Sequence, residues 1–291
     1  MDHVAEKIEL GTLKVRPVRS RLYPWYDSEW LEKYTMAKAI ISKFRPVVLP
    51  TFEAALSVFR TRPDFHVERL APVFDDDRLC NIRQFVSSLK PTDFELQEVR
   101  QFRRFVVHDH PFIVGLQQQL VSLMSEVVGE PVEPNYNFLS LYSGQGVCPM
   151  HMDAPRAKWT LDLCLDQSGP WPIYISEVQP WPGIDVDAPS PIWASDDWQT
   201  AIKQSQALNF SSYTMSPGDA IVFSGSSQWH YRNAMRASSA NAFCDLLFFH
   251  FIPRGTLALV QPKSWASMFE VPELDANGLF DAAPTIQSLS L

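Results

Sequence analysis

The stretch "SPGDAIVFSGSSQWHYRN", residues 216 to 233, decides the fold. A Pro-Gly-Asp turn launches a short apolar run through Phe223, small residues turn the chain, and an aromatic segment then carries His230. Two short branched and aromatic segments joined by Gly and Ser read as strands. The same texture extends outward in both directions. Upstream lie "YNFLSLYS" from 136, "KWTLDLCLD" from 158 and "WPIYISEV" from 171; "FSSYTM" from 210 and "AFCDLLFFHFIP" from 242 complete the set. Between the two groups, "QPWPGIDVDAPSPIWASDDWQTAIKQSQA", 179 to 207, is a Pro- and Trp-rich loop running into a short helix. No Gly/Ser-rich or highly charged spacer flanks it, so it reads as an insertion between strands rather than a linker.

Before residue 136 the spacing of apolar residues is helical. "SEWLEKYTMAKAIISKF", 28 to 44, opens on Ser28 as N-cap and ends before Pro46; segments 51 to 60 and 76 to 89 repeat that style. Residues 110 to 130 read as the longest helix, entered through Pro111 and left near Gly129 and Pro131. The predicted organisation is one α+β domain: a mainly helical N-terminal layer over 1 to 135, a β core over 136 to 253, and a C-terminal extension over 254 to 291.

Composition narrows the function. The net charge is -8, from 25 basic and 33 acidic residues with no long Lys/Arg run, which argues against nucleic acid or an anionic membrane as the main partner. The start "MDHVAEKIEL" carries charges where a secretory signal needs an apolar core, and no apolar run is long enough to span a membrane; the expected location is cytoplasmic. Cys80, Cys148, Cys164 and Cys244 form no CxxC pair and read mostly as small core residues. Nothing in the residues sets the oligomeric state.

Chemistry enters with "GVCPMHMDAPRAKW", 146 to 159. In an extended segment residues i and i+2 point the same way, so His151 and Asp153 face one interior. One further nitrogen ligand would complete the two-histidine, one-carboxylate set that holds Fe(II) on one face. By itself an HxD pair equally describes a solvated turn ahead of Pro155.

The order HxD, several strands, then "PGDAIVF" and a second histidine resembles that of the Fe(II)/2-oxoglutarate-dependent dioxygenases. The resemblance covers roughly residues 136 to 253, and His151 and His230 stand 79 residues apart, a separation that suits that family's barrel. It implies a double-stranded β-helix, the jelly-roll or cupin-type barrel. It also implies His151, Asp153 and His230 as catalytic iron ligands, with Fe(II), 2-oxoglutarate and O2 as cofactor and cosubstrates. The implied outcome is hydroxylation, desaturation or ring closure at an unactivated C–H bond. Halogenases of the family replace the carboxylate ligand with a small residue, so Asp153 argues against halogenation.

The family also needs a basic side chain for the distal carboxylate of 2-oxoglutarate. Members carry it shortly after the distal histidine, where this chain has Ala240 and Asn241. Arg232, two residues after His230, faces the same interior if the strand continues; Arg236 is a second choice, and Lys158 a third, since some branches take the residue from a strand after the HxD. Arg254 lies past the last strand. Similar enzymes carry a Tyr or Asn that hydrogen-bonds the cosubstrate on the strand before the HxD, and the resemblance implies Tyr142 for that role, a core tyrosine satisfied elsewhere being the alternative; Thr160 is a polar residue of the next strand that a cosubstrate would satisfy.

Rival histidines are set aside. In "VVHDHPF", His108 and His110 precede a helix that Asp109 or His110 caps; His250 in "LLFFHF" reads as a hydrogen-bonded core histidine; His3 and His66 have no convergent partner. Trp159, Trp171, Trp181, Trp193, Trp198 and Trp229 either line an aromatic pocket or fill the core between helices and barrel. The substrate expected is a small molecule such as an amino acid, a peptide or a specialised metabolite, with a protein side chain also open. Two alternatives remain: a cupin-like metal-binding protein without 2-oxoglutarate chemistry, and an Fe(II) oxygenase independent of 2-oxoglutarate.

Overall fold

The structure is a computed structural model that describes residues 29–181, 197–204, 208–235 and 242–276. Eight strands form its centre: β3 (Val132–Ser143), β4 (Cys148–His151), β5 (Trp159–Gln167), β6 (Ile173–Ser176), β7 (Phe210–Tyr213), β8 (Ala220–Phe223), β9 (His230–Arg232) and β10 (Phe243–Pro253). They pair antiparallel in two sheets, β8-β5-β10-β3 and β4-β9-β6-β7. The chain changes sheet at every step except between β6 and β7, so the sheets are wound together as a jelly roll. Two earlier strands, β1 (Glu68–Leu70) and β2 (Arg104–His108), lengthen the first sheet at either edge, against β8 and β3.

Period-2 alternation places the side chains. On β5, Thr160, Asp162 and Cys164 point inward, while Leu161, Leu163 and Leu165 point out to the helices. The interior between the sheets is closed by Ile221, Phe223, Leu246 and Phe248 from one side and by Trp171, Ile173 and Ile175 from the other. The outer face of the longer sheet is covered by α3 (Asp76–Ser88), α5 (Pro111–Gln119) and α6 (Val121–Val128). The second sheet is covered by α1 (Glu29–Phe44) and α2 (Leu49–Leu56), which enclose Met150, Met152 and Trp229 together with the C-terminal Trp265, Val271 and Leu274. Trp265 is completely buried and meets Trp30 and Phe52 edge-on at 5.3 Å.

Several expectations are corrected here. The predicted helix over 110 to 130 is two helices. Leu120 donates back to Gln117 across a tightened turn, and His110, not Asp109, is the cap, its Nδ1 accepting from the Phe112 amide at 3.2 Å. The N-terminal third contributes β1, β2 and the single turn α4 (Val99–Phe102) besides its longer helices. Cys80 is exposed, on the outer side of α3. Among the described residues no helix is long and apolar enough to cross a membrane. The residues around Trp193, most of the insertion and Arg236 lie outside the described residues. The described tryptophans fill cores; Trp171 alone reaches the barrel interior.

Candidate metal centre

His151 ends β4 and His230 begins β9, and the two are register partners in one antiparallel pair. Asp153 follows where the chain leaves the sheet, anchored by its amide, which donates to the Gly225 carbonyl at 2.8 Å. The three side chains offer ligand atoms within 4.8 Å of one another. Asp153 Oδ1 lies 3.4 Å from His151 Nε2 and 3.9 Å from His230 Nε2.

Each imidazole is oriented in the same way. His151 Nδ1 donates to the Pro149 carbonyl at 2.8 Å and His230 Nδ1 to the Gln228 carbonyl at 2.9 Å. An N–H committed at Nδ1 turns Nε2 toward the centre of the site, and both Nε2 atoms face Asp153. The turn between β8 and β9 holds His230 in place: Gln228 accepts from the Ser224 amide at 2.8 Å and donates to the Ser176 carbonyl at 2.8 Å, while Trp229 donates to Ser176 Oγ. Gly225 supplies room in that turn. A Cβ there would strike the Asp153 carboxylate and come within 2.6 Å of the Ala157 carbonyl and 2.8 Å of Thr160 Oγ1.

The three groups divide charge between them. Burial, then His151, pushes His230 down to about 4. Burial opposes ionisation of Asp153, yet the two imidazoles hold its carboxyl well below the usual range. His151 goes the other way: against the effect of burial, Cys148 and Asp153 raise it well above its ordinary value. An anion with two nitrogen donors, Asp153 and His230 buried and His151 half-buried, fits a divalent cation, which would take the place of the protons.

The proposed cosubstrate residues divide. Arg232 lies in the interior, 3% exposed, donating to Asp162 Oδ2 at 2.6 Å and to the Trp171 carbonyl at 2.5 Å, with its guanidinium over the Trp171 ring. Tyr142 is also inside, edge-on to Trp171 at 4.8 Å. Burial pushes its phenol upward, so it stays protonated. Thr160 faces the metal ligands, hydrogen-bonded to His250. Lys158 is not part of the site. It ends a 3-10 turn, Pro155–Ala157, with helical backbone, which takes it off the pleat, and its Nζ donates to Glu130 Oε1 and the Val58 carbonyl beneath the helices.

One arginine was absent from the sequence reading. Arg104 on β2 is the register partner of Tyr142 and donates to its hydroxyl at 2.7 Å and to Glu98 at 2.5 Å. Its guanidinium lies over the rings of Phe102, Phe138 and Tyr142. The available signal was "RFVVH", a short branched run that reads as a strand once the helical bias of its surroundings is discounted.

No protein-family model matches the chain. No curated protein matches it. Solved structures do. One is an oxidoreductase of the 2OG-Fe(II) oxygenase family from Burkholderia pseudomallei, at 13% identity and TM-score 0.44, covering 69% of this chain and 88% of that one. HygX from Streptomyces hygroscopicus, with nickel and 2-oxoglutarate bound, is similar at 12% identity and TM-score 0.47, covering 69% and 87%. EctD from S. alaskensis, with 2-oxoglutarate and 5-hydroxyectoine, stands at 12% and 0.46, covering 69% and 75%. The jelly-roll assignment rests on this chain's own strand order.

Proposed function

We propose that the protein is an Fe(II)- and 2-oxoglutarate-dependent oxygenase that hydroxylates, desaturates or cyclises at an unactivated C–H bond of a small molecule such as an amino acid, a peptide or a specialised metabolite. The observation that carries this reading is the convergence of His151, Asp153 and His230 inside a jelly roll, with both Nδ1 atoms already committed to backbone carbonyls. Iron, when bound, supplies activation of O2 coupled to 2-oxoglutarate oxidation.

The chain's own residues do the rest. Asp153 and the two Nε2 atoms would hold the ion, and three protein ligands would leave it positions for further ligands. Phe223 stands edge-on to His230 at 4.9 Å, and with Phe248 and Leu246 keeps the interior apolar. Tyr142, whose phenol accepts from Arg104, has its own proton available for a carboxylate, and Arg104 and Arg232, each paired with a carboxylate of its own, add guanidinium donors at that end of the interior. We assign the distal carboxylate of 2-oxoglutarate to these three residues, with Thr160 nearer the metal. The net charge of -8 favours a small substrate over nucleic acid.

A second reading, a metal protein of this fold that does not use 2-oxoglutarate, draws on one observation: Arg232 is already engaged by Asp162. Anaerobic Fe(II) protein mixed with 2-oxoglutarate separates the two. The proposed function expects the weak visible charge-transfer band of the chelate and, in air, succinate. Bound iron without the band would overturn it. Asp153→Ala is expected to lose iron and succinate formation together.

A further inference from the structure

His250 stands on the inner face of β10, opposite Thr160 of β5, and is 3% exposed. Its ring is held on several sides. Tyr136 stacks on it at 4.1 Å and 26°, Phe138 lies at 5.6 Å, and Nδ1 is 3.0 Å from Thr160 Oγ1. Its backbone carbonyl accepts from Gln117 Nε2 at 2.9 Å, within a buried amide network that includes Asn137. Nε2 of this ring has no hydrogen-bond partner among the described residues.

Hydrogen-bond bookkeeping fixes the proton. The Thr160 hydroxyl has one proton to give, and His250 Nδ1 is its only hydrogen-bond partner among the described residues. If Nδ1 carried the proton, both the Thr160 hydroxyl proton and the Nε2 lone pair would be unsatisfied. With Thr160 donating to Nδ1, a single unmet group remains, an N–H at Nε2. Burial pushes the imidazole down to about 3, so the ring is neutral and carries that one proton. A buried donor without an acceptor is destabilising, and one so firmly positioned calls for a ligand.

The place of the ring indicates which ligand. Thr160 Oγ1 and the Asp153 carboxylate flank the same point, the missing Cβ of Gly225, so the Thr160–His250 pair borders the Asp153 side of the metal centre. The charged group acting most strongly on His250 is Asp153. We propose that His250 donates its Nε2–H to a carboxylate oxygen of 2-oxoglutarate bound beside Asp153. This rests on the function proposed above. An anionic acceptor makes the stronger hydrogen bond in an apolar interior and needs no further partner for a proton of its own.

The test uses the full chain loaded with Zn(II), which is redox-inert, and follows 2-oxoglutarate binding by calorimetry. His250→Phe is expected to weaken 2-oxoglutarate by about tenfold to a hundredfold, the effect of one hydrogen bond to a charged group, with metal affinity unchanged. His250→Gln, which restores an N–H donor, is expected to recover most of the loss. Unchanged binding in His250→Phe would overturn the proposal. Should that variant fail to fold, side-chain nitrogen NMR of the wild type decides: the expected His250 signal is the Nε2–H tautomer, with its proton shifting on addition of 2-oxoglutarate. An Nδ1–H tautomer, or a signal that does not move, would overturn it. Wild type that holds metal but binds no 2-oxoglutarate overturns the underlying function instead.

Discussion

The imidazoles of His151 and His230 stand 4.2 Å apart, centroid to centroid and inclined at 55°, each tied through Nδ1 to the carbonyl two residues before it. The repetition matters because each tie lies within one short strand end, so the strand pairing that sets the two histidines opposite one another also fixes their tautomers. The orientation of both imidazoles is therefore set by the sheet and by the turn that leads into it.

Metal should stabilise the fold measurably. At a free concentration about a hundred times its Kd, an ion that binds only the folded chain adds about 2.7 kcal/mol, equivalent to roughly 4–5 °C in Tm for a chain of this size. Adding Zn(II) to the metal-free protein is expected to give that rise, and His151→Ala or His230→Ala to abolish it. Differential scanning calorimetry with and without a chelator makes the comparison.

Gly225 is expected to tolerate no side chain. Its Cβ position is crowded by the Asp153 carboxylate, the Ala157 carbonyl and Thr160 Oγ1, all polar, with Ala157 held in a 3-10 turn and Thr160 in its hydrogen bond to His250. Gly225→Ala should displace Asp153, lower metal occupancy at least about tenfold and destabilise by about 1–3 kcal/mol, in the range of other overpacked sites. Ser226→Ala, one residue away, serves as the control and should keep its metal, as counted by elemental analysis.

Arg232 and Asp162 are a completely enclosed ion pair, 3% and 0% exposed on their side chains. Removing one member strands the other. Asp162→Asn is expected to cost about 3–5 kcal/mol in chemical denaturation, and the double replacement Asp162→Leu with Arg232→Met to recover much of it, because the unpaired charge is then gone. If the double variant were as unstable as the single one, the pair would owe its importance to shape rather than charge.

How much of this was legible depended on the range of the interactions involved. Thr160 could be assigned inward because alternation is local, and His151, Asp153 and His230 could be brought together because two short motifs lie on or beside strands that the turn chemistry announces. Lys158 was misassigned because the alternation was carried one residue too far, into a turn at Pro155–Ala157 that breaks the pleat. "RFVVH" reads as a strand, but the pairing with β3 that sets Arg104 against Tyr142 is long-range, and no local pattern encodes it. His250 was read as a hydrogen-bonded core histidine. That holds for Nδ1, and only the packed interior shows that Nε2 is left over.

Asp245 and Asp166 are directly opposite on β10 and β5, an arrangement in which like charges repel. Burial first, then Asp166, pushes Asp245 up to about 6. The unfolded chain ionises this group near pH 4, before the folded protein does, so between roughly pH 4 and pH 6 the folded state binds the extra proton. The contribution of Asp245 to stability is therefore fully retained below about pH 4, falls as pH rises through this window, and is unfavourable above it. Asp245→Asn removes the titration. With the side chain partly open to solvent, the gain over wild type should be about 1 kcal/mol at pH 7.5 and close to nothing at pH 4. Urea denaturation of both proteins at the two pH values reads the difference directly. An equal gain at both would mean that the amide acts through a new hydrogen bond and not through relief of charge.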